Sequence, residues 1–77
     1  MDCKKRIVAD IEKLDESFKK ISSIEFTAEE KEIVERAKSY KEDCKYYLER
    51  EDEITSFGCI TYAHGLIDAI ILNHDIK

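Results

Sequence analysis

Two polar residues, His64 and Asp68, interrupt a largely apolar run that extends from Ile54 to Leu72. They are four residues apart, so both side chains would lie on one side of a helix. A histidine beside a carboxylate can act as a general base with its orienting group, or supply two ligands to a metal ion. The pair also fits a structural histidine that bonds to its own helix or to a tyrosine of a neighbouring helix. We favour the structural role, because a single histidine on an apolar helix face is usually a satisfied core residue.

The other reactive side chains do not complete a metal or cofactor site. Zinc sites use three or four protein ligands, and the sequence has only one further histidine, His74. The motifs HExxH and CxxC are both absent from the sequence. Cys3, Cys44 and Cys59 form an odd set without a secretion signal, which predicts free thiols in a reducing cytoplasm. We therefore predict no metal, no cofactor and no catalytic residue.

The composition indicates one all-α domain over residues 1–77. Charged residues make up 40% of the chain and hydrophobic residues 43%, proline is absent and glycine occurs twice. Such a chain folds, and it favours helices. The net charge of −5 repels phosphate backbones, so no nucleic-acid partner is expected. The 19 residues from Ile54 to Leu72 are long enough to cross a bilayer, but an aspartate near the centre of a span is costly, so no membrane is expected.

Apolar residues recur at helical spacing in the first two segments. A first helix is predicted over about 2–21, and a second over about 28–49, beginning after the capping box Thr27-Ala-Glu-Glu30. The expected core stripes are Ile7, Ile11, Leu14, Phe18 and Ile21 in the first helix and Ile33, Ala37, Tyr40, Cys44 and Tyr47 in the second. Ile24 and Phe26 lie between the two helices and are expected to turn inward, because exposing them would forfeit burial energy.

A third helix is predicted over about 53–72. The second stripe, extended past Tyr47, meets the weaker side of the following segment, so one straight helix cannot bury both. We therefore predict a tight turn within residues 49–53, with Asp52 as the N-cap, and an antiparallel hairpin of the second and third helices. The expected core row of the third helix is Phe57, Ile60, His64, Ile67 and Ile71. The predicted architecture is a three-helix bundle.

The third helix is apolar on most of its circumference. Gly58, Thr61 and Gly65 form a face of small residues where another backbone could approach closely. In a bundle of only three helices, at least one face of such a helix meets solvent. We therefore predict a homo-oligomer, most simply a dimer, or a protein partner that docks on this face. Tyr46 projects to a different side of the second helix and is a candidate exposed contact residue.

The segment from Tyr40 to Ile70 resembles the archaeal domain-of-unknown-function family 357. The matching residues are Tyr40, Asp43, Tyr46-Tyr47-Leu48-Glu49, Asp52, Phe57, Tyr62-Ala63-His64-Gly65-Leu66 and Asp68-Ala69. The chain departs from the family pattern at Glu51, which replaces a turn glycine, and at Ser56, where alanine is usual. The resemblance implies a short bundle of three helices and an archaeal cytoplasmic origin, and it implies no activity.

Two functions from different classes remain open. The favoured function is a non-enzymatic helical module that self-associates or docks a protein through the third helix. The alternative is a small metal- or ligand-binding protein, conceivably a hydrolase. Its site would lie in the groove between the second and third helices and would use His64, Asp68, Asp43 and Tyr47.

Overall fold

The computed structural model describes residues 2–75, which form three α-helices and, within that range, no strand. Helix α1 spans Cys3–Ile21, α2 spans Ala28–Glu49 and α3 spans Glu53–Asn73. Helix α3 packs most extensively against α2 and also against α1, and Lys41 of α2 forms an ion pair with Asp15 of α1. The predicted three-helix bundle, with the second and third helices paired as a hairpin, is confirmed.

Each helix begins at a side-chain cap that satisfies a free backbone amide. Asp2 Oδ1 accepts from the Lys4 amide at 3.0 Å, and Asp52 Oδ1 accepts from the Thr55 amide at 3.2 Å. At the start of α2, Thr27 Oγ1 accepts from the Glu30 amide at 3.2 Å, and Glu30 Oε1 accepts from the Thr27 amide at 3.0 Å. The capping box and the Asp52 cap are therefore confirmed.

The turn between α2 and α3 closes the hairpin within three residues. The Asp52 amide donates to the Tyr47 carbonyl at 3.0 Å, and the Glu51 amide donates to the Leu48 carbonyl at 3.1 Å. These two bonds are the Schellman pattern, which places the residue after the C-cap in the left-handed region. That residue is Glu51, with φ of 61°. It stands where the resembling family has glycine, the residue that adopts this conformation without a steric penalty.

The buried core combines one stripe from each helix. Its apolar members are Ile7, Leu14, Ile21, Val34, Ala37, Cys44, Ile60, Ala63, Ile67 and Ile70, with Ile24 and Phe26 partly buried against them. The expected α1 stripe and the inward connection are confirmed. Ser56 is fully buried beside Cys44, and its hydroxyl donates to the Cys44 carbonyl at 2.8 Å. This buried bond joins α2 to α3 near their shared turn.

The expected core row of α3 was partly wrong: Ile60 and Ile67 are fully buried as predicted, but the buried side is rotated by about 60° around the helix. The buried residues are Ser56, Ile60, Ala63, Ile67 and Ile70, whereas Phe57 is 42% exposed. A helix that is apolar on most sides gives hydrophobicity no single direction, so contact with the neighbouring helices sets its rotation. The small side chains of Ser56 and Ala63 allow the backbones to approach closely, and this part of the helix faces inward.

Candidate functional site

The His64 side chain reaches across to α1. Its Nε2 lies 2.7 Å from the backbone carbonyl oxygen of Asp10, and the side chain is half-buried. A carbonyl oxygen only accepts, so Nε2 must carry the proton and donate it. The prediction that His64 bonds to its own helix or to a tyrosine of α2 was wrong. The bond fixes the ring orientation and leaves Nδ1 as the ring nitrogen that carries the lone pair.

Asp68 and His64 have different surroundings. Its side chain is exposed to solvent, whereas His64 turns toward α1. Within the part of the chain that the structure describes, the two side chains do not hydrogen-bond to each other. The helical spacing therefore brings the two residues near one another, but Asp68 does not orient the His64 ring.

The remaining predicted ligand residues lie on α2. Asp43 is exposed and Tyr47 is half-buried, with its ring edge-on to Tyr46 at 5.1 Å between centroids. Tyr46 is 50% exposed, as expected, and the Arg50 guanidinium lies 3.5 Å from its ring centroid. Between residues 2 and 75, no three His, Cys, Asp or Glu side chains are grouped so that they could hold a metal ion.

The three best-formed surface grooves within residues 2–75 are lined by neither His64 nor Asp68. One lies along the first turns of α1, between Asp2 and Glu12. The groove between α2 and α3 is lined by Ile33, Tyr62 and Leu66, with Glu29, Glu32 and Arg36 at its edge. The groove that the alternative function requires is therefore lined by different residues from those that the sequence indicated.

The cysteines are free thiols in three different environments. Burial is the main cause that raises the pKa of the Cys44 thiol, and burial likewise raises the pKa of the half-buried Cys59. A raised pKa keeps a thiol protonated at neutral pH, where the thiolate is the nucleophile. Cys3 is exposed. Cys44 therefore serves as a core residue, as the sequence predicted, and the partly buried Cys59 packs against the core.

A polar junction that sequence reasoning missed joins the start of α2 to the end of α3. Glu30 is only 9% exposed, and its Oε2 accepts from Asn73 Nδ2 at 3.3 Å and lies 2.5 Å from His74 Nε2. The hydrogen bond from the Thr27 backbone is the largest cause that lowers the pKa of Glu30, and His74 and Asn73 lower it further. The Phe26 ring packs edge-on against His74 at 5.9 Å. The capping glutamate thus also fastens the end of α3.

The side of α3 that faces away from α1 and α2 is exposed and largely apolar. We call this surface the outer face of α3, and it consists of Ile54, Gly58, Thr61, Gly65, Asp68 and Leu72. Ile54 is 89% exposed and Leu72 is 80% exposed. Asp68 is the only charged residue of the six. The three small residues that the sequence placed on a candidate association face all belong to it.

Neither glycine of the outer face is required by the fold of the single chain. A Cβ added at Gly58 or Gly65 would meet no other atom within 4 Å. Neither residue has a positive φ, so helical backbone geometry would admit a side chain at both. Glycine inside a helix destabilises it by about 1 kcal/mol relative to alanine. The chain therefore carries two destabilising residues for which its own packing gives no reason.

By length and composition, α3 would also be able to cross a membrane. Its most apolar window has a mean hydropathy of 1.3, and 28% of that window is buried in the bundle. Core helices of soluble proteins pass the same test. Here the inward side of α3 packs against α1 and α2, which carry charged outer faces. The contacts with those two helices favour α3 as a bundle helix with one uncovered side.

Comparison with known proteins yields a family and no characterised relative. The model of a family described as "Protein of unknown function (DUF357)" matches residues 9–74. The match includes parts of all three helices, so it covers most of α1 as well as the hairpin that carries the sequence motif. No curated protein matches the sequence.

Proposed function

Because the chain belongs to DUF357, a family of unknown function, its own surface is the guide to its role, and we propose that it is a non-enzymatic self-association module. The contact surface is the outer face of α3, and the partner is a second copy of the chain. The observation that carries the proposal is the uncovered apolar side of α3, where Ile54 and Leu72 are 89% and 80% exposed. Apolar surface of this kind gains free energy when it is removed from water.

The two glycines support a close helix partner. Their lack of side chains has no explanation within one chain, because space is open at both positions. Small residues on a helix face let a second backbone approach closely, which increases van der Waals contact along the whole face. In a self-association module, the cost of the two glycines in the single chain is offset by contact in the complex.

Charge favours a protein surface over nucleic acid or an anionic membrane. The chain has a net charge of −5, and the outer face contains no lysine or arginine. Phosphate backbones and anionic headgroups are bound through basic side chains. A second copy presents an equally apolar surface with one carboxylate, and most soluble oligomers form between identical chains.

The metal- or ligand-binding alternative has less support. His64 Nε2 is engaged by the Asp10 carbonyl, and Asp68 and Asp43 are exposed. A metal site built from these residues would have to use His64 Nδ1, and no group of three His, Cys, Asp or Glu side chains within residues 2–75 could hold a metal ion. We therefore place no catalytic role on His64, Asp68, Asp43 or Tyr47.

Sedimentation equilibrium over a micromolar concentration series tests the proposal. The wild-type chain should show a mass that rises with concentration toward that of a dimer. Gly65→Leu should shift the chain to monomer, because its side chain occupies the space that the partner's helix needs. Ser39→Leu is the matched control, since Ser39 is exposed on α2 and lies outside the outer face. A wild-type chain that stays monomeric, or equal loss of association in both variants, would overturn the proposal.

A further inference from the structure

Resting on the proposed function, we infer that the two copies pack α3 against α3 in antiparallel orientation. The two-fold axis passes beside the level of residue 63, the midpoint of the outer face. Ile54 of one copy then lies beside Leu72 of the partner subunit, and Thr61 lies beside Gly65 of the partner subunit. The inference adds direction and register to the association.

The residues of the outer face are arranged almost symmetrically about that midpoint. Its positions are 54, 58, 61, 65, 68 and 72, so the intervals read the same from either end. The bulky aliphatic residues Ile54 and Leu72 are at the two ends, and the small residues Thr61 and Gly65 are at the centre. A two-fold axis requires that one patch complements itself, with each residue facing its counterpart across the axis. Antiparallel packing satisfies this requirement with small residues where the helices cross and large residues at both ends.

Asp68 distinguishes the two possible directions. In parallel packing each residue lies opposite its own copy, so two Asp68 carboxylates would meet where water is excluded. Like charges in such a position are strongly unfavourable. In antiparallel packing Asp68 lies opposite the partner's Gly58, which leaves room for it. The two Asp68 residues are then ten positions apart along the axis, about 15 Å, which exceeds the screening length of about 8 Å at physiological salt.

The charge of the turn between α2 and α3, at one end of the bundle, also favours antiparallel packing. It is acidic and, apart from the half-buried Glu53, exposed, with one arginine among Glu49, Arg50, Glu51, Asp52 and Glu53. Parallel packing would bring the two acidic turns together. Antiparallel packing places each turn at the level of the partner's Asn73 and His74, at the opposite end of the assembly. The charge distribution therefore opposes the parallel direction at two separate places.

Disulfide trapping tests the direction directly. The background is Cys3→Ser, which removes the exposed native thiol and leaves the less accessible Cys44 and Cys59. Two single variants, Ile54→Cys and Leu72→Cys, are oxidised alone and as an equimolar mixture. In the antiparallel dimer, equal positions 54 are about 27 Å apart along the axis, whereas a disulfide needs Cα atoms closer than about 7 Å. Crosslinked dimer should therefore form in the mixture, up to the statistical share of mixed pairs, and not in either variant alone.

The outcomes separate this inference from the proposed function. A crosslink in Ile54→Cys alone would show parallel packing and overturn the direction, while self-association through the outer face would stand. Sedimentation of the reduced variants establishes whether they still associate. If they are dimers and neither the mixture nor the single variants crosslink, the register is wrong. If the wild-type chain is monomeric, the proposed function fails and the inference fails with it.

Discussion

At the residue scale, two side-chain bonds show how polar groups serve the packing of α3. His64 donates to the backbone of α1, and Glu30 accepts from Asn73 and lies within hydrogen-bond distance of His74. Both contacts connect α3 to another helix, and both satisfy groups that would be costly to bury alone. His64 within α3, and Asn73 and His74 at its end, therefore hold α3 against α1 and α2. The opposite side of α3 remains uncovered.

We expect His64→Leu to lower the free energy of unfolding by about 1 kcal/mol, because it removes the hydrogen bond to the Asp10 carbonyl. Asp68→Asn should stay within about 0.5 kcal/mol of wild type, since Asp68 is exposed. Urea denaturation of samples below the association range measures both. Stabilisation of the wild-type chain by Zn²⁺ that His64→Leu abolishes would contradict the structural role and revive the ligand-site alternative.

The junction at Glu30 predicts a pH dependence with a definite sign. The pKa of Glu30 is lowered in the fold from its ordinary value of 4.5. Its contribution is therefore present above pH 4.5 and is lost as the pH falls through the lower pKa of the folded state. We expect Glu30→Gln to reduce this acid-side loss of stability, measured as the urea midpoint between pH 7 and pH 3. Glu29→Gln, an exposed neighbour in the same turn, is the control. Equal pH profiles for Glu30→Gln and wild type would contradict the junction.

At the element scale, helix existence, caps and the hairpin turn follow from local sequence, whereas the rotation of α3 does not. The spacing of Ile7, Leu14 and Ile21 and the capping box at Thr27 are short-range signals, and the structure confirms them. Helix α3 is apolar on most sides, so its core row depends on contacts with distant segments. The partners of His64 and Glu30 lie 54 and 44 residues away, beyond any local pattern. For the junction between Glu30 and His74, the one available signal in the sequence was a histidine at the end of a helix in a chain with a capping glutamate.

The turn glycine of the resembling family gives a prediction for Glu51. This residue has a φ of 61°, in the left-handed region. Such a conformation costs an ordinary L-residue about 1 kcal/mol, partly regained by its lower entropy in the unfolded chain. We expect Glu51→Gly to raise the free energy of unfolding by up to about 1 kcal/mol. Arg50→Gly, at a position with φ of −92°, should instead be neutral or destabilising, and chemical denaturation compares the two. Destabilisation by Glu51→Gly would contradict the assigned turn geometry.

At the scale of the whole molecule, the chain is a small bundle of three helices. Helix α3 has the fewest charged residues and also exposes the most large apolar side chains. Helices α1 and α2 carry most of the charge on their outer sides, whereas α3 contains only two acidic residues, Glu53 and Asp68, and no lysine or arginine. A single chain of this size buries a limited share of its surface, and association of α3 with a second copy would add to that share. Self-association gives one role to the apolar composition, the exposed ends and the two glycines of α3.

The most direct test is the double variant Gly58→Ala with Gly65→Ala, measured for dimer dissociation by sedimentation equilibrium and for monomer unfolding at concentrations below association. Alanine should stabilise the isolated chain by about 1 kcal/mol per site, because an added Cβ meets no atom at either position. The same two methyl groups should weaken the dimer by keeping the helices apart. We therefore expect the isolated chain to become more stable and the dimer to become weaker. A more stable chain whose association is unchanged or strengthened would contradict self-association through the outer face of α3.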